Sequence, residues 1–223
     1  MRRNVSLSEI SDGKLYELND MVRADCGGCK GCSACCRNME ESIVLDPLDI
    51  FRLRNFLQVG FDDLLKQGVT LRVIDGVILP VIGMSGEGGA CGFLDENGRC
   101  SVHEARPGIC RIFPLGRYYE EDGFRYFLQI YECKNKNLSK VKVRKWIDTP
   151  NLKENQKYLF EWHRFLQRAE SALEGAEDEG VRKNISMYIL ENFFRRPYEG
   201  ERDFYSQFSD WMGKACQVVP EKL

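Results

Sequence analysis

The chemistry of this chain is concentrated in its thiols. The segment CGGCKGCSACC carries Cys26, Cys29, Cys32 and Cys35 at every third position, and Cys36 follows at once. Two intervening residues let a chain curl until neighbouring sulfurs face a common centre, and the small residues Gly27, Gly28, Gly31, Ser33 and Ala34 leave room for that curl. Cys26, Cys29, Cys32 and Cys36 also reproduce the C-x2-C-x2-C-x3-C run of bacterial iron–sulfur proteins, with Arg37 where those have proline. A second set, Cys91, Cys100, Cys110 and Cys133, is spread over turns and proline-fixed loops. The two sets together are enough for two four-ligand centres. Thiolates suit zinc and iron–sulfur clusters alike on softness grounds. The ferredoxin-like run points to iron–sulfur, of the 4Fe-4S kind, in one or two clusters, with zinc as the alternative. In an extended backbone Cys35 and Cys36 point to opposite faces, which favours two neighbouring centres. Arg37, Arg106 and Arg111 stand near candidate ligands and carry charge that would offset a tetrathiolate.

The rest of the composition narrows the classes. Ten cysteines stand against two histidines in 223 residues, so a Ser/His/Asp or Cys/His catalytic pairing cannot be picked out. His103 lies close to the second cysteine set, which already supplies enough ligands without it, and His163 sits in a helical pattern. Thirty-two basic residues against 34 acidic ones leave no global field for nucleic acid, and none is expected as a partner. The opening MRRNVSLSEI has no apolar stretch behind its arginines, and no later run reaches spanning length, so no membrane association is expected. A cytoplasmic location follows as the expectation. There thiols stay reduced, and clustered cysteines are metal ligands more often than disulfides.

The elements that must position these thiols are short. Asp46 as cap and Pro47 in the first turn predict a helix over LDIFRLRNFLQV with Gly60 as its stop, and DDLLKQ predicts a second ending at Gly68. Alternating runs around Asp75 and Gly76, and again around Asp122 and Gly123, predict two β-hairpins. Between them CGFLDENGRC and HEARPGICRIFP read as irregular, ligand-bearing loops, and the glycine-rich MSGEGGACG as a mobile loop that lets Cys91 reach its metal. The aromatic run Tyr118, Tyr119, Phe124, Tyr126, Phe127 and Tyr131 reads as a packed hairpin face before it reads as a pocket. Farther on, Tyr158, Trp162, Phe165, Leu166, Ala169 and Leu173 share one helical face, and VRKNISMYILENFF and RDFYSQFSDWMGKA predict two more helices. The expected fold is α+β. Residues 1–25 lead in, residues 26–137 form an irregular cysteine-rich metal-binding module with short helices and two hairpins, and residues 138–223 form a bundle of about three helices packed against it. Cys216 falls in that bundle as a bystander.

At this point the residues carry a resemblance. C-x2-C-x2-C-C over residues 29–36, then CGFLDENGRC, Arg106 with Pro107, and Cys110-Arg111 with Phe113 and Pro114, resemble the CxxCxxCC cysteine-cluster family (YkgJ-like), which is described as zinc- or iron-chelating. Cys26 stands ahead of the family block, and His103 stands where members often have tyrosine. The block is also similar to that of the flagellin lysine N-methylases, which bind an iron–sulfur cluster and use S-adenosylmethionine. The resemblance therefore implies metal ions as partners and tilts the metal toward iron–sulfur. It leaves three functions to separate: an iron–sulfur protein with a redox, cluster-handling or catalytic role, a methyltransferase acting on a protein lysine, and a zinc-stapled module that presents a surface to a protein partner.

Overall fold

A computed structural model describes residues 6–27, 32–84, 88–135 and 137–221. The chain enters through one helical turn, α1 (Leu7–Ile10), and two strands, β1 (Ser11–Tyr16) and β2 (Met21–Asp25). Neither strand is announced by the sequence, because the partner of each lies far along the chain. Strand β1 pairs antiparallel with β6 (Gly123–Gln129), and β2 with β7 (Ser139–Lys142), whose register sets Asp25 opposite Ser139. A 3-10 turn, Ala34–Cys36, follows.

Helix α2 (Pro47–Leu57) starts as its cap predicts. Asp46 accepts from the Asp49 N–H and Asp49 accepts from the Asp46 N–H, so two otherwise orphaned donors are satisfied reciprocally. The helix stops at Leu57, short of the expected glycine, because Gln58 takes a left-handed conformation. Helix α3 (Phe61–Gln67) ends at Gly68 as expected.

The hairpin of β3 (Val69–Ile74) and β4 (Val77–Ile82) turns on Asp75 and Gly76, both at positive φ as a primed two-residue turn requires. The second hairpin, β5 (Leu115–Glu120) with β6, turns one residue earlier than the Asp-Gly signal suggests. Glu120 pairs with Gly123, which leaves Glu121 and Asp122 at the turn. The reason lies in burial: a strand slipped by one residue would exchange its two faces, and Tyr126 is 2% exposed on the inner one. Between the hairpins, HEARPGICRIFP is not wholly irregular, since α4 (Gly108–Ile112) forms in its middle.

Helices α5 (Val143–Ile147), α6 (Leu152–Gly175), α7 (Glu179–Leu190) and α8 (Phe204–Val218) complete the fold, with a π-helical stretch over Glu191–Arg195. That wider turn lets the adjacent Phe193 and Phe194 both face inward, each fully buried. Tyr158, Trp162, Phe165, Ala169 and Leu173 of α6 are buried as their spacing predicts. They share one core with α2, α3, β3 and β4 as well as with α7 and α8. Two polar contacts fix that docking: the Leu48 N–H donates to the Tyr158 hydroxyl at 3.0 Å, and the Ile78 N–H to the Ser186 hydroxyl at 2.7 Å. A smaller core joins Val22, Ala24, Ile112, Leu115, Tyr126, Val143 and Ile147. The aromatic hairpin face divides: Tyr126 is in this core, Tyr119 stacks on His163 at 3.7 Å, and Tyr118 and Tyr131 are exposed. Among the described residues no helix is long and apolar enough to cross a membrane.

Candidate metal centre

The cysteine-bearing turns are held by the hairpin of β3 and β4 and by the start of α2. Gly68, Gly83 and Gly92 make a layer in which the Gly83 N–H donates to the Gly68 carbonyl and the Gly92 N–H to the Gly83 carbonyl, each at 2.8 Å. A Cβ on Gly92 would lie 2.6 Å from the Gly68 Cα, so only glycine permits this approach. Cys91, the residue before Gly92, is thereby fixed against the hairpin. The Cys91 N–H donates to the Cys36 carbonyl at 2.8 Å, and the Asn38 N–H donates to the Gly89 carbonyl at 2.9 Å. The 3-10 turn and the Cys91 loop therefore form one unit. Residues 85–87 of the glycine-rich loop lie outside the described residues.

From Cys91 the chain makes a tight turn whose two ends meet at the bridge between Leu94 and Cys100. Asp95 fixes it, with its carboxylate accepting from the Asn97 and Arg99 N–H groups at 2.9 and 2.7 Å. Cys110 arrives on α4. The Gly108 N–H at the start of that helix donates to Asp49 Oδ1 at 2.7 Å, and the Trp146 indole N–H donates to the Ile112 carbonyl at its end, at 3.0 Å. Asp49, 2% exposed, thus ties the first turn of α2 to the helix carrying Cys110. Burial, aided by the neighbouring Asp46, pushes its carboxyl up to about 7. Sequence reading takes Asp46 as the cap and passes over Asp49. The signal was present, since an acidic residue three positions after the cap is the second half of a capping box.

Five thiols come together by this construction: Cys35, Cys36, Cys91, Cys100 and Cys110. Cys36 feels the charges of Cys91, Cys100 and Cys110, Cys110 those of Cys91, Cys35 and Cys100, and Cys91 those of Cys100 and Cys35, while Cys100 feels Cys35 and Cys35 feels Cys36. Cys35 and Cys36 do not point to opposite faces. They occupy a 3-10 turn rather than a strand, and their side chains are hydrogen-bonded to each other. That bond raises the Cys35 thiol and lowers the Cys36 thiol, whereas burial raises Cys91, Cys100 and, most strongly, Cys110. Arg106 draws Cys35 and Cys100 the other way. The Nε atoms of Arg106 and Arg111 are buried without a hydrogen-bond partner, although Arg111 Nη2 donates to the Glu104 carbonyl at 2.8 Å.

The other predicted ligands are placed differently. Cys133 stands near Cys26 and Cys32 at the far end of β2 and β7. Cys29 lies outside the described residues. His103 is exposed, with its Nε2 3.4 Å from Arg106 Nη1, and Cys216 packs against the main core from α8. The nine described cysteines are all thiols.

Among the described residues no three Cys, His, Asp or Glu side chains form a group tight enough to hold an ion as they stand. The gathering is wider than a coordination sphere. The chemistry of the donor set still fits a soft metal. Three of the thiols accept an N–H from the residue two positions on: Cys91 from Phe93 at 3.4 Å, Cys100 from Val102, and Cys133 from Asn135. Backbone donors aimed at sulfur favour the thiolate that a metal requires, and Arg106, whose charge acts on Cys35 and Cys100 and whose Nε is buried without a partner, suits negative charge there.

One family model matches the chain, over residues 28–145: CxxCxxCC, "Putative zinc- or iron-chelating domain". No curated protein and no solved structure matches it.

Proposed function

The chain belongs to the CxxCxxCC family of zinc- or iron-chelating domains and is a metal-chelating protein; from that membership we propose an iron–sulfur protein with a redox or cluster-handling role. The observation that carries this reading is the convergence of Cys35, Cys36, Cys91, Cys100 and Cys110 from the 3-10 turn, the Cys91–Cys100 turn and helix α4, with the Cys91 N–H donating to the Cys36 carbonyl at 2.8 Å and the charges of Cys91, Cys100 and Cys110 acting on Cys36. Four of the five are a full ligand set for a 4Fe-4S cluster, and the choice of iron over zinc rests on the likeness of the cysteine block to iron–sulfur proteins. Such a cluster, when bound, takes up and gives back one electron.

The chain's own groups have defined tasks around it. Cys35, hydrogen-bonded to Cys36, adds polar support to that sulfur. The Phe93 and Val102 N–H groups hold charge on Cys91 and Cys100. Arg106, whose charge acts on Cys35 and Cys100, offsets part of the negative charge that four thiolates concentrate at this half-buried site. Because the thiols must shed protons to bind, metal uptake is coupled to ordering of residues 26–137, while residues 138–223 supply the packed support. Reduced thiols suit a cytoplasmic setting.

Anaerobic purification followed by an absorption spectrum and elemental analysis tests this. A brown protein with sulfide, iron and a broad absorbance that dithionite bleaches is the expected result. A colourless protein with stoichiometric zinc would replace it with the zinc-stapled module. Methyl transfer from S-adenosylmethionine to a protein lysine rests on the resemblance of the cysteine block alone, and is tested by incubating the purified protein with the labelled cofactor and candidate proteins.

A further inference from the structure

We infer that the ribbon of β2 and β7 is a docking surface for an extended acidic segment of a partner protein, recognised by Arg23, Lys140 and Lys142. The inference goes beyond metal binding and holds whichever metal the chain carries.

The charge is local. Residues 134–145 carry six basic side chains and no acidic one, in a chain whose 32 basic residues are outnumbered by 34 acidic ones. Lys136 of that run lies outside the described residues. Pairing of β2 with β7 sets Met21 opposite Lys142, Val22 opposite Val141 and Arg23 opposite Lys140. Val22 and Ala24 are buried in the smaller core and Val141 packs against it, so strand alternation turns Met21, Arg23, Lys140 and Lys142 outward, where all four are exposed. Lys134, Arg144 and Lys145 add exposed charge beyond the two ends of β7.

Like charges directly opposite each other destabilise a strand pair, and Arg23 with Lys140 is such a pair. Among the described residues none of Arg23, Lys134, Lys140, Lys142, Arg144 and Lys145 makes an ion pair that would offset it. Arg23 Nη1 reaches the Leu138 carbonyl at 3.5 Å, and Arg144 Nη1 the Asn19 side-chain oxygen at 3.3 Å. Asp25, the acid on the ribbon, accepts from the Ser139 hydroxyl at 3.1 Å and the Gly27 N–H at 2.9 Å. The ribbon thus holds a cost in stability and presents one sign of charge outward.

Side chains two apart on one face of a strand repeat every ~6.6 Å, which is also the repeat of alternate carboxylates in an extended acidic segment. Such a segment lying along β7 sets one carboxylate at Lys140 and one at Lys142, with Arg23 in reach across the ribbon and Met21, 48% exposed, as an apolar contact. Length decides against nucleic acid. A four-residue strand spans only ~13 Å, and because the whole chain is at net charge -2, the surface beyond this cluster is acidic overall and repels a longer polyanion. The ribbon is flanked by Cys26 and Cys133, and the Asn135 side-chain amide donates to the Cys26 carbonyl at 3.4 Å, so a partner docked here stands beside the cysteine block.

The test is fluorescence anisotropy on the anaerobically purified full chain, with a labelled peptide carrying glutamate at alternate positions, its glutamine counterpart and a single-stranded oligonucleotide as probes. The glutamate peptide should bind, the glutamine peptide should not, and binding should weaken between about 0.05 and 0.5 M salt. Lys140→Gln/Lys142→Gln should weaken it about three- to tenfold, whereas Lys183→Gln/Lys214→Gln, which removes the same charge from α7 and α8, should leave it unchanged. The first double variant should melt no lower than the wild type, since it relieves the pairing with Arg23. Should it not fold, Arg23→Gln decides from the opposite strand. No binding of the glutamate peptide at low salt would overturn the proposal, as would equal weakening by both double variants. Tighter binding of the oligonucleotide, lost in Lys140→Gln/Lys142→Gln, would replace the acidic protein with a nucleic acid.

Discussion

Replacing Asp49 by Asn should change the stability of the protein in a way that reverses with pH. The carboxyl is buried, accepts the Asp46 and Gly108 N–H groups, and titrates near 7 because burial disfavours its charge. An unfolded aspartate titrates about three units lower, near 4, so between those values the unfolded chain has lost a proton that the folded chain keeps. Stability from this group is therefore fully present below about pH 4 and is lost as pH rises through about 7. At about 1.4 kcal/mol per unit, the window from pH 5 to pH 8 takes in about two units and at most about 3 kcal/mol. Asparagine keeps the volume and one acceptor but turns the other into a donor facing a buried N–H, a cost of about 1–3 kcal/mol that does not vary with pH. At pH 5 the variant should be the less stable protein. At pH 8 the difference should have closed or changed sign. Urea unfolding of both proteins, in the same metal-loading state at pH 5, 6, 7 and 8, measures it. A difference that stays constant within about 0.5 kcal/mol across that range would refute the burial argument.

Other substitutions test the remaining supports. Gly92→Ala should destabilise by about 1–3 kcal/mol in thermal or urea unfolding and reduce metal content, because the added carbon meets Gly68 backbone and must move the Cys91 loop. Phe193→Ala, at a fully buried ring packed on Trp162, Phe165 and Phe208, should cost about 3–5 kcal/mol while the folded fraction keeps its metal. The His163 ring, partly buried and stacked on Tyr119, should titrate near 4 by NMR, and stability from it should be lost as pH falls from about 6.5 toward that value. A midpoint near 6.5 would contradict the desolvation of that ring.

Local signals carried much of the fold. The cap at Asp46, the turn at Asp75 and Gly76 and the buried face of α6 are each decided within a few residues, so the sequence displays them. What it concealed is set by distant pairing. Strand β2 finds β7 through contacts such as Arg23 with Leu138, 115 residues apart, and its own five residues carry no strong strand pattern. The glycine layer of Gly68, Gly83 and Gly92 is equally invisible, because each glycine alone reads as a turn. At the candidate site the residue types were legible and the grouping was not. Cys35 and Cys36 looked divided on the assumption of an extended chain, and the 3-10 turn removes that assumption. The second hairpin slipped by one residue because the inward packing of Tyr126 outweighs the local preference of Asp122 and Gly123 for the turn.

The central claim is that the five gathered thiols hold metal, and the most direct measurement is metal per chain in anaerobically purified Cys110→Ser set beside Cys216→Ser and the wild type. Cys110 is the thiol most strongly raised by burial within the gathering, and Cys216 packs on the helical core. The account predicts that Cys216→Ser matches the wild type while Cys110→Ser loses the metal of that centre. Equal metal in all three proteins would contradict it.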